Sequence, residues 1–147
     1  MSTKDPTLWK NPPHMVRISY HNNDQPTAQE VAELFRRSGI RRPADDPARI
    51  GAMLENADIV LTARHGPRLV GIARGLTDHV YVCYLSDLAV DSEYQRQGIG
   101  KKLLDLLKVQ LSEQVMILLL ASPEAENYYG PMGYTHAPNA WIIPRAR

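Results

Sequence analysis

Cysteine is nearly missing from this sequence. Cys83 stands alone, so no internal disulfide forms. Its five histidines, His14, His21, His65, His79 and His136, are scattered, no Cys/His cluster has zinc-ligand spacing, and no metal site is expected. Neither sign of charge prevails: 17 basic against 16 acidic residues leave a net charge of +1 and no global field to gather nucleic acid. Long apolar runs are also lacking. The longest, Val115 to Ala121, is far too short to cross a bilayer. The opening stretch MSTKDPTLWKNPPHM has no apolar core and does not read as a secretory signal. These absences argue against a disulfide scaffold, a membrane protein and a charge-held nucleic-acid binder, and they place the chain in the cytosol.

What is present is 147 residues, 44% of them hydrophobic, the size of one domain. Residues 1–14 are polar, carry Pro6, Pro12 and Pro13, and read as a flexible arm. Residues 15–147 read as a single domain. Met15 to Tyr20 alternates apolar and polar like a strand. Thr27 with Glu30 makes a capping box for a helix through about Arg37, ended by Gly39. Asp46 and Pro47 open a second helix that runs to about Asn56. Three strand-like runs follow, Asp58 to Arg64, Arg68 to Leu76 and Val80 to Val90, joined by short turns that imply antiparallel neighbours. After a polar loop, Ile99, Leu103, Leu106, Leu107 and Leu111 form the stripe of a third helix. Val115 to Ala121 reads as a buried strand, Ser122-Pro123 as the cap of a short helix through Tyr129, and Tyr134 to Ile143 as a last, Pro-interrupted strand. The expected fold is α/β, a mixed and mostly antiparallel sheet flanked by helices, in the order β-α-α-β-β-β-α-β-α-β.

The passage from the longest strand into the third helix carries the chemistry. Gly98 and Gly100 sit one residue apart where loop becomes helix. The first turn of a helix leaves backbone N–H groups unpaired and carries the positive end of the dipole. Glycine there costs helix stability, about 1 kcal/mol each, and lets the backbone approach a ligand. With Arg96, Lys101 and Lys102 adding charge, the turn reads as a pyrophosphate site. A plain helix start with surface lysines is the alternative. The Rossmann fingerprint fails because Leu103 stands where a third glycine is needed. The Walker pattern fails at Gln95 and Lys102.

The segment Gln95-Arg96-Gln97-Gly98-Ile99-Gly100, preceded by Leu88-Ala89-Val90 and followed by Tyr129-x-x-x-Gly133-Tyr134, resembles the GNAT superfamily of acyl-CoA N-acyltransferases. The resemblance covers residues 15–143. It implies acetyl-CoA as acyl donor, its pantetheine arm lying between the strand that ends at Val90 and its parallel neighbour. It implies that the amides of about Arg96 to Lys101 hold the pyrophosphate and that the Val90 amide polarises the thioester carbonyl. It implies direct attack by an amine, with Tyr129 as the acid for the departing sulfur and Tyr128 as its fallback. Ser122 stands where the family often has a cofactor-binding Asn, with Asn127 nearby but out of register. A homodimer is the family habit.

Asp87 is the candidate base, since aspartate is depleted in strands and costly to bury alone. It equally fits an anchor for the substrate ammonium, or a structural partner of an arginine such as Arg74. Tyr129 equally fits an aromatic cluster with Tyr128 and Tyr134. His79 and Glu126 are weaker candidates. Cys83, at matching parity with Asp87, reads as a buried thiol rather than a nucleophile. Arg36, Arg37, Arg41 and Arg42 meet an anionic substrate or merely close a helix. The function expected is acetyl transfer from acetyl-CoA to a small-molecule or peptide amine. The alternative is a non-catalytic CoA-binding regulatory module on the same fold.

Overall fold

The computed structural model describes residues 17–147. The expected arm at 1–14 and the first two residues of the expected first strand, Met15 and Val16, lie outside the described residues. Five strands, β1 (Ser19–His21), β2 (Ile59–His65), β3 (Arg68–Thr77), β4 (Val82–Val90) and β5 (Met116–Leu118), form one sheet in the order β1-β2-β3-β4-β5. The first four pair antiparallel, and β5 lies parallel to β4. Three helices, α1 (Ala28–Ser38), α2 (Pro47–Glu55) and α3 (Ile99–Leu111), flank the sheet.

Local chemistry sets the helix ends. The Thr27 hydroxyl accepts from the Glu30 amide at 3.2 Å while the Glu30 carboxylate accepts from the Thr27 amide at 2.7 Å. The Asp46 carboxylate caps α2 by accepting from the Arg49 amide at 3.1 Å. Val31, Leu34 and Phe35 of α1 and Ile50 of α2 bury against Leu69, Ile72 and Ala89 on one face of the sheet. Ile99, Leu103, Leu107 and Leu111 of α3 cover the other face, joined by Leu104, with Leu106 partly buried beside them. Each fully buried aliphatic side chain contributes about 1.5–3 kcal/mol.

Two features of β4 position the site. Gly75 pairs with Leu85 and Arg74 with Asp87, so Ser86 is an extra residue, a β-bulge. The bulge resets the side-chain alternation. Cys83 and Leu85 pack on the α3 face, whereas Ala89 packs on the α1/α2 face. The parity that Cys83 and Asp87 share in sequence therefore does not put them on one face. In addition, β5 pairs with β4 only along Val82 to Tyr84. From Leu85 to Val90, β4 has a ladder partner among the described residues on its β3 side alone.

The C-terminal third departs from expectation. Instead of a buried strand over Val115 to Ala121, β5 is three residues long, and Met116 and Leu120 are 57% and 53% exposed. An apolar run implies burial only where something covers it, and no described strand lies on the outer edge of β5. The helix expected after Ser122 is a 3-10 turn at Pro123–Ala125, with no side-chain bond from Ser122, and a second such turn follows at Gly130–Met132. Pro131 disfavours a helical residue before it and interrupts the α pattern. Tyr134 to Ile143 forms no strand, and Trp141 and Ile143 are 95% and 98% exposed. Pro138 lacks the N–H a ladder needs. At the other end, β1 begins at Ser19.

Candidate active site

The free edge of β4 runs directly into the glycine turn. Asp91, fully buried, follows Val90 and accepts from the Glu93 amide at 3.0 Å and from Arg68 at 2.8 Å. These bonds hold a 3-10 turn at Ser92–Tyr94. The Gln95 side chain then reaches back, its Nε2 donating to the Val90 carbonyl at 2.9 Å. Arg96 (φ 65) and Gly98 (φ 83) are both left-handed, an uncommon state for arginine. Alternation of this kind turns successive amides toward one concavity. The first helical bond of α3 runs from the Lys102 amide to the Gly98 carbonyl at 3.0 Å, so the amides of Ile99, Gly100 and Lys101 precede it.

This turn fits a diphosphate. A Cβ built on Gly98 meets nothing within 4 Å, so its face is open. Lys101 stands beside it, paired to Asp105 at 2.9 Å on the exposed face of α3. Gly100 is different. A Cβ there would overlap the Tyr128 hydroxyl oxygen and stand 3.5 Å from its Cζ and 3.8 Å from Val90 Cγ2. Tyr128 thus brings a phenol to the corner between the end of β4 and the start of α3.

Tyr129 is partly buried on the α3-side core. Its ring meets those of Tyr128 at 5.1 Å and Tyr134 at 5.5 Å, both edge-on. Burial, then the neighbouring Tyr128 and Tyr134, push its hydroxyl up to about 12. The Tyr134 hydroxyl is buried without a hydrogen-bond partner among the described residues. Ser122 and Asn127 are exposed, and neither side chain has a hydrogen-bond partner among the described residues.

Asp87 lies on the opposite face of the sheet from Cys83, its side chain 0% exposed. Its two oxygens accept from Arg42 Nε and Arg74 Nε, each at 2.5 Å. Arg42 also donates to the Ser86 carbonyl at 2.7 Å, and Arg74 to the Ser86 hydroxyl at 2.9 Å. The bulge is therefore clamped to the α1–α2 connection. Arg42 was visible in sequence only as one of four basic residues. Its pairing, 45 positions away, left no local signal. Two other basic residues of that cluster have structural partners too: Arg36 pairs with Glu33 and Asp45, and Arg37 with Glu33. Cys83 is fully buried, and burial, then Asp58, raise its thiol above the ordinary value. His79 sits in the β3–β4 turn, at the end of β4 away from Val90, and Glu126 is exposed. Among the described residues no group of His, Cys, Asp and Glu could hold a metal ion, and no helix is long and apolar enough to cross a membrane.

Comparison with known proteins gives a consistent picture. A family model described as "Acetyltransferase (GNAT) domain" matches residues 26–140. A histone acetyltransferase, TAP1, from Glycine max is 32% identical over 111 residues, covering 67% of this chain and 47% of the relative. The chain thus spans about half the length of that relative. A probable acetyltransferase from Staphylococcus aureus has a solved structure that matches with a TM-score of 0.75 at 24% identity, covering 88% of this chain and 99% of that one. The structure of an aminoglycoside N-acetyltransferase in complex with CoA matches at a TM-score of 0.68 and 14% identity, covering 93% of this chain and 100% of that one. Both structural matches are statements about the fold.

Proposed function

Because the chain belongs to the GNAT acetyltransferase family, we propose that it moves an acetyl group from acetyl-CoA to a primary amine, small molecule or peptide, by direct attack in a ternary complex. The observation that carries this reading is the edge of β4 from Leu85 to Val90, which no described strand covers, leading into an open glycine turn. Acetyl-CoA supplies an activated acyl group on a thiolate leaving group. Leu88 and Val90 turn backbone groups to the free edge while those of Ala89 between them pair with β3, and the Val90 amide faces the acyl carbonyl. Gln95 braces that end of the strand. The amides of Arg96 to Lys101 hold the diphosphate. Ser122 and Asn127, both exposed, remain available to the pantetheine.

The proton steps divide unequally. A phenol at about 12 opposite a thiol near ~8.5 makes full transfer uphill by roughly 5 kcal/mol. Tyr129 therefore stabilises the departing sulfur mainly as a hydrogen-bond donor, and solvent completes the protonation. Asp87, held by two arginines, acts as the clamp of the β4 bulge, and the amine loses its proton to water. Buried Cys83 has no part in the transfer. A homodimer remains part of the reading, supported by the exposed Trp141, Ile142 and Ile143, as does the cytosolic placement; analytical ultracentrifugation and cell fractionation test them. The direct route is tested by initial-rate kinetics. Intersecting lines, with Cys83→Ala fully active, are expected. Parallel lines with an inactive, folded Cys83→Ala chain would indicate an acyl-enzyme instead.

A further inference from the structure

We propose that Tyr128 is a cofactor-holding residue whose phenol donates a hydrogen bond to the diphosphate of CoA on the Gly98–Gly100 turn, and that position 100 is glycine because that phenol lies against it. The proposal rests on the acetyl-CoA reading above. Three observations carry it. First, Gly100 is not required by the backbone: unlike Gly98, it has an ordinary helical conformation inside α3. Alanine there would favour the helix by about 1 kcal/mol. What excludes a side chain is the Tyr128 hydroxyl, which a Cβ would overlap. Second, the phenol is held in place. Its ring meets Tyr129 edge-on at 5.1 Å, and Val90 Cγ2 lines the other side of the same corner. Third, Tyr128 is 41% exposed, so its hydroxyl is reachable by a ligand, and it sits next to the first turn of α3 and near Lys101.

An accessible O–H donor beside the first-turn amides of α3 suits an anionic acceptor such as a phosphate oxygen. A phenol that only plugged the turn would have to leave on binding, and its removal would tighten binding.

The test is a calorimetric titration of the full chain with CoA, and with pantetheine, which lacks the diphosphate, by displacement. Tyr128→Phe keeps the ring and removes the O–H. It should weaken CoA about tenfold, equivalent to about 1.4 kcal/mol, and leave pantetheine unchanged. Unchanged CoA affinity overturns the proposal. So does an equal loss for both ligands, which puts the contact elsewhere. Tighter CoA binding by Tyr128→Ala identifies a plug and also overturns it. Failure of the wild-type chain to bind CoA rejects the acetyl-CoA reading and the proposal together. A second readout covers the glycine: Gly100→Ala should lower the unfolding temperature in the wild-type background and spare it in a Tyr128→Ala background. Equal effects in both backgrounds reject the steric half.

Discussion

In an Asp87→Asn chain, two arginines would face an amide in place of a carboxylate. The Asp87 side chain is 0% exposed, that of Arg74 7% and that of Arg42 27%. Removing one partner from a buried ion pair costs about 3–5 kcal/mol. The amide oxygen keeps one acceptor and Arg42 reaches solvent, so the expected loss is lower, about 2–3 kcal/mol. For a domain of this size each kcal/mol lowers Tm by about 2–4 °C, which gives a fall of roughly 4–12 °C. Circular dichroism melts would measure it, alongside acetyl-transfer rates over a range of pH at temperatures where the variant is folded. A clamp predicts a lower melting temperature and a residual rate with the wild-type pH profile. A base predicts an unchanged melt and a rate that returns at high pH, where free amine is abundant. An unchanged melting temperature would refute the reasoning.

Three further outcomes are expected. Gly98→Val should weaken acetyl-CoA in calorimetry, because it fills an open cradle and forces a β-branched residue to φ 83, a strain of about 1–2 kcal/mol; a folded variant with wild-type affinity contradicts the diphosphate assignment. Tyr129→Phe should lower kcat by about 10²–10³-fold, the scale of losing one hydrogen-bond donor to a developing anion, with acetyl-CoA affinity nearly unchanged. Since burial keeps that phenol protonated up to about 12, the wild-type kcat/KM should rise with free amine and show no descending limb from tyrosine ionisation below that value; a limb near the ordinary phenol value contradicts it. Glu30→Gln should flatten the acid limb of stability. Bonds from Arg64, against the effect of burial and with help from the Thr27 amide, hold the Glu30 carboxyl below its ordinary value. A depressed folded value stabilises the fold above the unfolded value and is lost as pH falls through the folded one. Unfolding midpoints that decline with acid as steeply in the variant as in the wild type would count against it.

The parts of the fold that sequence reveals are those set by neighbours a few residues apart. Thr27 with Glu30, Asp46 with Pro47, and Gly98 with Gly100 act within one turn, and their elements stand where expected. What sequence hides depends on distant partners. The extra residue at Ser86 is visible only once β3 is laid beside β4, and it moves Cys83 and Asp87 to opposite faces. Arg42 finds Asp87 across 45 positions. The run from Val115 to Ala121 has the composition of a core strand, yet it forms the sheet's edge, because Tyr134 to Ile143 does not return beside it as a strand. In the site, the glycine turn was legible from spacing. The tyrosine that fills the space over Gly100 was not, because a steric match between positions 100 and 128 leaves no pattern in either segment.

The central claim is tested most directly by thiol release from acetyl-CoA over a broad panel of amines, with the product identified by mass spectrometry. The account predicts release that depends on one class of amine, with one N-acetylated product formed for each thiol released. Tight CoA binding without amine-dependent release from any member of the panel would contradict it, and would leave a CoA-binding regulator on the same fold.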